Sequence, residues 1–270
     1  MTPSPRVTYA LTMSLALLTP SLAPAQSPPE DPWGSTVSAD HPGFADSSVT
    51  LPAGTYQVEI GLEGTKVAGN GPFNAGANVL GRFGLFDGLE LRAKVPEVGA
   101  ALDLEGGATT QLLFERFEAG AKWSLFSGDF SLALIPMLTG PTTLVDSPFL
   151  FGGSLGLSAD LNLGGGLGLN LYAAPSFAIS EAGIGAGTDE TEAALGASAA
   201  VGLTVALDPQ LSIFAEGWAN IGSEGVSPAG NTGLVYLINP DILVDAYFGV
   251  QLPGGRVTPY GGLGFALLVR

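Results

Sequence analysis

Two alternating segments joined by three glycines, within residues 151–174, constrain the fold more than any other stretch. Leucine or alanine occupies alternate positions on both sides of Gly164-Gly165-Gly166, with mostly small or polar residues between them. Successive side chains of a strand point to opposite faces, so each segment would have one apolar face. Because glycine adopts positive φ readily, a three-residue glycine loop can join two antiparallel strands. The pattern predicts a β-hairpin in which Leu163 pairs with Leu167 and Asp160 lies opposite Asn170.

Similar alternation returns between Thr55 and Arg270 and predicts about twelve strands, an even number as in single-chain outer-membrane barrels. Outside the hairpin, the predicted strands are residues 55–64, 75–86, 89–96, 114–126, 129–138, 193–207, 210–221, 232–238, 241–251 and 257–270. The break after every second strand is short, whereas the other breaks are mostly longer and polar. The short breaks are Asp87-Gly88, Ser127-Gly128, the glycine triplet, Asp208-Pro209 and Asn239-Pro240. Short turns on one rim and longer loops on the other are typical of outer-membrane barrels, whose short turns face the periplasm.

The amino-acid composition favours such a barrel over a soluble β-sandwich. Apolar residues make up 46% of the chain and charged residues 13%, yet no apolar run reaches the roughly 18 residues of a helical span. In a barrel only every second residue meets lipid, so an apolar composition without long apolar runs is expected. A sandwich would carry more Lys and Glu on its surface. We predict an all-β fold, a transmembrane antiparallel up-and-down β-barrel, and the sandwich remains the alternative.

The N-terminal residues have the pattern of an export signal. Arg6 is followed by the short apolar stretch 10–18 and by Ala23-Pro24-Ala25, which fits a small-residue cleavage site. We therefore predict a signal peptide over residues 1–25, a periplasmic leader over 26–53 and the barrel over 54–270. This organisation places the mature protein in the outer membrane of a Gram-negative-type bacterium.

The leader contains a candidate plug immediately before the first strand. Residues 39–50 are polar and rich in turn signals but include Pro42 and Phe44. We predict that this stretch lies in or against the periplasmic mouth of the barrel and limits passage. The candidate plug residues are Asp40, His41, Pro42, Phe44 and Ser47.

Charged residues fall on the faces of the predicted strands that would line the lumen. The basic ones are Arg82, Arg92, Lys94, Arg116 and Lys122. The acidic ones are Glu59, Glu63, Glu90, Glu118, Asp160, Glu216 and Asp245. Because adjacent strands lie about 4.8 Å apart, the basic residues should share one wall. Two interpretations stay open: a ladder of ion pairs that stiffens the barrel, or a transverse field that orients a polar or anionic solute.

Residues 39–59 also resemble the motif that precedes the first strand in a known family. That family comprises outer-membrane transporters and is named for the meta-cleavage pathway of phenol degradation. The matching residues are Asp40, Pro42, Phe44, Ser47, Pro52, Gly54, Gln57 and Glu59, and residues 81–96 resemble the family's second hairpin. His41 stands where the family usually has Arg. The resemblance implies an outer-membrane barrel that transports aromatic or other hydrophobic compounds.

Several function classes are excluded by the residues that the chain lacks. With no Cys and with His41 as its one histidine, the chain offers no thiolate chemistry and no well-placed histidine base. A formal charge of −16 argues against nucleic-acid partners. We therefore predict no enzyme activity, no catalytic residue, no metal and no cofactor, and outer-membrane lipid and a small solute as partners. The predicted function is an outer-membrane channel or transporter for small, aromatic or hydrophobic solutes. The alternative is a closed structural or adhesive barrel that acts through its extracellular loops.

Overall fold

Antiparallel strands make up most of the protein in its computed structural model, which describes residues 36–40, 44–66, 73–102, 110–114, 116–141, 149–181, 191–223 and 225–270. Alternating apolar and small or polar residues form the strands, as the sequence predicts. The strands are β1 (Tyr56–Lys66), β2 (Phe73–Phe86), β3 (Leu89–Leu102), β4 (Thr110–Phe114), β5 (Phe117–Phe126), β6 (Phe130–Gly140), β7 (Phe149–Gly164), β8 (Leu167–Glu181), β9 (Thr191–Ala206), β10 (Leu211–Gly222), β11 (Gly225–Asn239), β12 (Ile242–Gln251) and β13 (Thr258–Val269).

The strands close into a ring. Strand β1 pairs with β2 on one side and with β13 on the other, so that Tyr56 lies opposite both Phe83 and Val269. Strands β4 and β5 pair with successive parts of β3, the first through Leu102↔Thr110 and the second through Lys94↔Glu118. They are therefore two segments of one barrel strand, and the fold is a closed antiparallel barrel of 12 strands. This confirms the predicted fold class.

The burial pattern of the barrel is the inverse of that of a soluble domain. On β1, Val58 and Ile60 point outward and are exposed, whereas Gln57 and Glu59 point inward and are buried at 1% and 0% exposure. Exposure of an apolar outer face to water would be unfavourable. The arrangement therefore fits a barrel wall whose outer face contacts lipid and whose inner face carries polar groups. A sandwich, by contrast, would bury its apolar faces between two sheets.

Helical structure in the described part of the chain is confined to a 3-10 turn, Pro253–Gly255, between β12 and β13. No helix among the described residues is long and apolar enough to cross a membrane.

The glycine hairpin forms, with one difference in register. Asp160 pairs with Asn170 as predicted, but Leu167 pairs with Gly164 instead of Leu163. The ladder is irregular between Asn162 and Gly164, so the predicted Leu163 pair is wrong. All three glycines have positive φ, at 82°, 63° and 80°, a conformation that favours glycine over other residues.

Strand β11 is longer than the sequence predicts. The sequence predicts this strand over residues 232–238, whereas the structure extends it back to Gly225 through a stretch that contains Gly, Ser, Pro and Asn. In the structure it pairs with β10 up to Gly222↔Gly225, so this connection is tight and the predicted longer break is wrong. Pairing with β10 overrides the local turn signals, and Pro228 lies beyond the end of the ladder with β12, where its missing N–H is tolerated.

Candidate functional site

The described residues that precede β1 lie in the interior of the barrel. We call residues 36–55 the inner segment, of which 36–40 and 44–55 are described. Its Val37 and Leu51 form a small buried cluster with Leu243, Ala266 and Leu268 from the barrel wall. The backbone N–H of Val37 also donates to the carbonyl of Pro240, in a short turn, at 2.8 Å. The segment therefore begins at the short-turn rim, packed against the inside of the wall.

Asp40 of the inner segment lies among three cations. Its carboxylate accepts from Lys122 Nζ at 2.8 and 2.9 Å and from Arg92 Nη2 at 2.8 Å, with Arg82 Nη1 at 3.5 Å. All four side chains are buried. Burial alone would raise the pKa of Asp40, but the charges of Arg82, Lys122 and Arg92 outweigh it and hold that pKa well below its usual value. Asp40 is therefore ionised and binds the inner segment to strands β2, β3 and β5.

Carboxylates of the barrel wall bind the backbone of the inner segment at four further places. Glu59 on β1 accepts from the N–H of Asp40 at 2.9 Å, and Glu90 on β3 accepts from Leu51 at 2.9 Å. Asp160 on β7 accepts the N–H of Ser48 at 2.6 Å. Glu216 on β10 accepts two successive N–H groups, those of Phe44 and Ala45, at 2.6 and 2.8 Å. Irregular backbone must find partners when it is buried, and these acids supply them from strands spread around the barrel.

The backbone carbonyls of the inner segment are bound in the same way by donors of the wall. Arg82 donates to the carbonyl of Ser38 at 2.7 Å and to that of Val49 at 3.1 Å. Lys122 also reaches Val49, at 3.2 Å, while Ser158 donates to the carbonyl of Asp46. Lumen side chains therefore bind both backbone donors and backbone acceptors of the described segment, which holds it inside the barrel.

Phe44 adds an aromatic contact to these polar ones. Its ring stacks on Trp218 of β10, with centroids 4.4 Å apart and planes at 9°, and meets the edge of Tyr172 on β8 at 6.3 Å. Stacked and edge-to-face pairs are both favourable ring geometries. Phe44 thus fastens the segment to the side of the barrel opposite the cation cluster.

A cavity of about 460 Å³ remains in the lumen on the side of the inner segment away from the short-turn rim. Its aromatic lining residues are Phe44, Tyr172, Trp218, Tyr247 and Tyr260. Its charged lining residues are Asp40, Asp46, Glu63, Arg92, Lys94 and Glu118. Cavities of this size hold small organic molecules. The cavity combines aromatic faces from β8 to β13 with charged groups mainly from β1 to β5.

The structure brings most of the candidate lumen residues together, though not all. Arg82 bridges Glu59 and Glu90, each at 2.8 Å, and Arg92 also contacts Asp46 at 2.8 Å. Residues outside this cluster are placed as follows: Lys94, Glu63 and Glu118 line the cavity, Asp160 and Glu216 bind the inner segment, Asp245 is buried on β12, and Arg116 is exposed between β4 and β5.

The candidate plug residues and the export signal are only partly within the described residues. Asp40 and Phe44 lie inside the barrel, and the backbone N–H of Ser47 donates to the Asp40 carboxylate at 3.0 Å. His41, Pro42 and the signal peptide over residues 1–25 lie outside the described residues.

Sequence reasoning missed several residues that complete the site. Ser48 was not singled out, although its N–H and hydroxyl both donate to Asp160 at 2.6 Å. Strand alternation places Trp218 and Tyr172 on the same polar faces as Glu216 and Asn170, but nothing in the sequence marks these two rings as site residues.

Comparison with known proteins places the fold. The sequence matches no protein-family model and no curated protein. The structure is similar to the COG4313 outer membrane channel from Pseudomonas putida F1, with a TM-score of 0.64, 12% identity and coverage of 82% of this chain and 97% of that one. It is also similar to the NanC porin, with a TM-score of 0.54, 7% identity and coverage of 78% and 98%. A KdgM porin in complex with disordered oligogalacturonate gives a TM-score of 0.52, 14% identity and the same two coverages. At these identities the likeness concerns the fold alone, and the chain has the barrel fold of outer-membrane channels and porins.

Proposed function

We propose that this protein is an outer-membrane channel for small solutes and that its inner segment is an internal plug that narrows the lumen. The observation that carries this proposal is the set of backbone contacts to Glu59, Glu90, Asp160 and Glu216. Acids from four separate strands bind one irregular segment, an arrangement that holds the chain across a passage. A barrel whose lumen is filled only by the side chains of its own strands would not need such a set of backbone contacts.

The residues that line the cavity favour aromatic or hydrophobic compounds as the solutes of the proposed channel. Phe44, Tyr172, Trp218, Tyr247 and Tyr260 all line it. Aromatic side chains offer flat apolar faces on which a planar ring can stack, while nearby polar groups fix its orientation. The proposed location is the outer membrane, which agrees with the apolar outer face, and export through residues 1–25 remains part of the proposal. The function involves no catalytic step.

The second candidate is a closed structural or adhesive barrel. The dense bonding of the inner segment favours this candidate, because a segment bound at so many points could close the lumen permanently. The two candidates differ in whether any solute crosses the membrane through the lumen of the protein.

Conductance of the purified mature chain in planar bilayers distinguishes them, with liposome swelling in small aromatic solutes as a second measurement. We expect small, discrete conductance steps and faster swelling than in empty liposomes. Heat-dependent gel mobility of the same sample provides the control for a folded barrel. If the folded barrel gives no conductance and no liposome swelling, even after deletion of residues 27–48, the channel proposal is wrong. The closed structural or adhesive barrel is then the better proposal.

A further inference from the structure

The basic groups of the lumen are largely neutralised by close acids. Arg82 contacts Glu59 and Glu90, and both ends of these pairs have 0% side-chain exposure. Arg92 contacts Asp40 and Asp46, and Lys122 contacts Asp40. This cluster contains four carboxylates and three cations, so it carries a net negative charge. The basic wall therefore has little positive potential left to attract an anion.

The remaining charges on the cavity wall are also acidic in sum. Besides members of the cluster, the charged lining residues are Glu63, Glu118 and Lys94. Lys94 lies directly opposite Glu118 in the ladder between β3 and β5, so these two offset each other. Among the described residues that line the cavity outside the cluster, Glu63 is therefore the carboxylate that no lining cation offsets. The formal charge of the whole chain, −16, likewise attracts cations and repels anions that approach the protein.

Glu63 stands at one end of a connected aromatic wall. The hydroxyl of Tyr247 donates to Glu63 Oε2 at 2.9 Å, and the ring of Tyr247 meets that of Tyr260 at 6.1 Å and 65°. Trp218 Nε1 donates to the hydroxyl of Tyr260 at 3.4 Å, and Trp218 stacks on Phe44. These contacts tie together β1, β10, β12, β13 and the inner segment. They place several aromatic rings and one carboxylate on the wall of the same cavity.

Ring faces beside a carboxylate have a specific chemical preference. Aromatic faces carry negative electrostatic potential and attract ammonium groups, most strongly at Trp and Tyr, and a carboxylate adds a charge–charge contact. A neutral aromatic ring would gain only the stacking, and an anionic one would meet repulsion at Glu63. The volume of about 460 Å³ is sufficient for a ring of six atoms with a short substituent.

We infer that this cavity binds small organic cations, namely amines and quaternary ammonium compounds with an aromatic or other apolar part. The cationic group lies beside Glu63 and the faces of Tyr247 and Tyr260, and the apolar part lies against Trp218. This inference rests on the proposed channel function for its physiological meaning, because it names which solutes the lumen retains. Binding itself does not require that the solute passes through.

Three probes of nearly equal size test the charge preference. Phenethylammonium, 2-phenylethanol and phenylacetate share a phenyl ring and a two- or one-carbon linker but are positive, neutral and negative. Their binding to the full folded protein in detergent is measured by calorimetry at low salt, where charges are least screened. We expect phenethylammonium to bind at least about tenfold more tightly than phenylacetate, with 2-phenylethanol between them.

Two matched variants locate the site. Glu63→Gln and Glu118→Gln remove the same charge from the same cavity, but Glu63 alone contacts the aromatic wall. We expect Glu63→Gln to weaken phenethylammonium binding about tenfold and Glu118→Gln to change it less than threefold. Heat-dependent gel mobility shows that both variants remain folded barrels.

Failure of this inference is distinguishable from failure of the channel. Equal or tighter binding of phenylacetate would overturn it, as would equal losses in the two variants, which would indicate a diffuse field instead of a site. Binding that is selective for the cation and depends on Glu63 supports the inference, even if the protein passes no current in planar bilayers. The absence of conductance in that case would contradict only the proposed channel function.

Discussion

Replacing Asp40 by Asn should release the inner segment, because it removes the charge that three buried cations share while it keeps the side chain's shape. The carboxylate lies 2.8 Å from both Lys122 Nζ and Arg92 Nη2, and its side chain is 2% exposed. Removing one partner of a buried ion pair typically destabilises the bound arrangement by about 3–5 kcal/mol. Since about 1.4 kcal/mol corresponds to a tenfold change in an equilibrium constant, the equilibrium between bound and released segment should shift by roughly 10²–10⁴-fold.

Asp46→Asn is the matched control. Asp46 lies in the same segment and contacts Arg92 at 2.8 Å, but its side chain is 25% exposed and contacts that one cation among the described ion pairs. Because solvent screens the partly exposed Asp46, its ion pair with Arg92 should contribute less than the fully buried contacts of Asp40. In planar bilayers we expect Asp40→Asn to conduct far more of the time than the wild type, and Asp46→Asn to differ little from it. Equal behaviour of the two variants would refute the assignment of Asp40 as the central anchor.

The same comparison at two pH values tests the ionisation of Asp40. Burial raises its pKa, but Arg82, Lys122 and Arg92 lower it further than burial raises it, so the pKa in the folded protein lies well below the usual value. A depressed pKa means that the stabilisation is complete above the unfolded-state value of about 3.9 and is lost only as the pH falls below it. The difference between wild type and Asp40→Asn should therefore be the same at pH 8 and pH 5. Its disappearance at pH 5 would show that Asp40 is protonated there.

Three further perturbations address the aromatic anchor, the outer face and the glycine hairpin. Phe44→Ala loses the stack on Trp218, worth about 0.5–1.5 kcal/mol, so the open fraction in bilayer recordings should rise about two- to tenfold, well short of Asp40→Asn. Leu171→Arg puts a charge on the outward face of β8 and should lower the free energy of unfolding in liposomes by about 2–4 kcal/mol relative to Leu171→Ala, whereas equal stability would argue against a lipid-facing wall. Gly165→Ala, at φ 63°, should destabilise the barrel by about 1–2 kcal/mol without changing its conductance. Gly168→Ala in the adjoining strand should leave the stability unchanged, and destabilisation by Gly168→Ala alone would contradict this reasoning.

Strand alternation allowed most of the barrel to be predicted, because whether a side chain faces lipid or lumen depends only on its neighbours along the chain. The inward placement of Glu59 and Glu90 followed from this parity. The failures arose where pairing between strands overrode local signals. Strand β11 begins at Gly225 despite its turn-rich sequence, and Leu163 bulges out of a ladder that looked regular.

The internal contacts of the site could not be predicted from the sequence in the same way. Phe44 and Glu216 are 172 residues apart along the chain, and only the closure of the ring brings them together. The number and register of the strands decide which acid meets which amide, and both are properties of the whole barrel. The sequence could indicate that acids line the lumen, but it could not show that they bind the backbone of a segment inside it.

The presence of a plug inside the lumen is tested most directly by the conductance of a chain that lacks residues 27–48. This deletion removes Asp40, Phe44 and Ser48, and with them the contacts to Lys122, Trp218 and Asp160. Heat-dependent gel mobility first establishes that the shortened chain is a folded barrel. We expect larger and more persistent single-channel steps than in the wild type, because the lumen is then open. Conductance equal to that of the wild type, from a folded barrel, would contradict the plug.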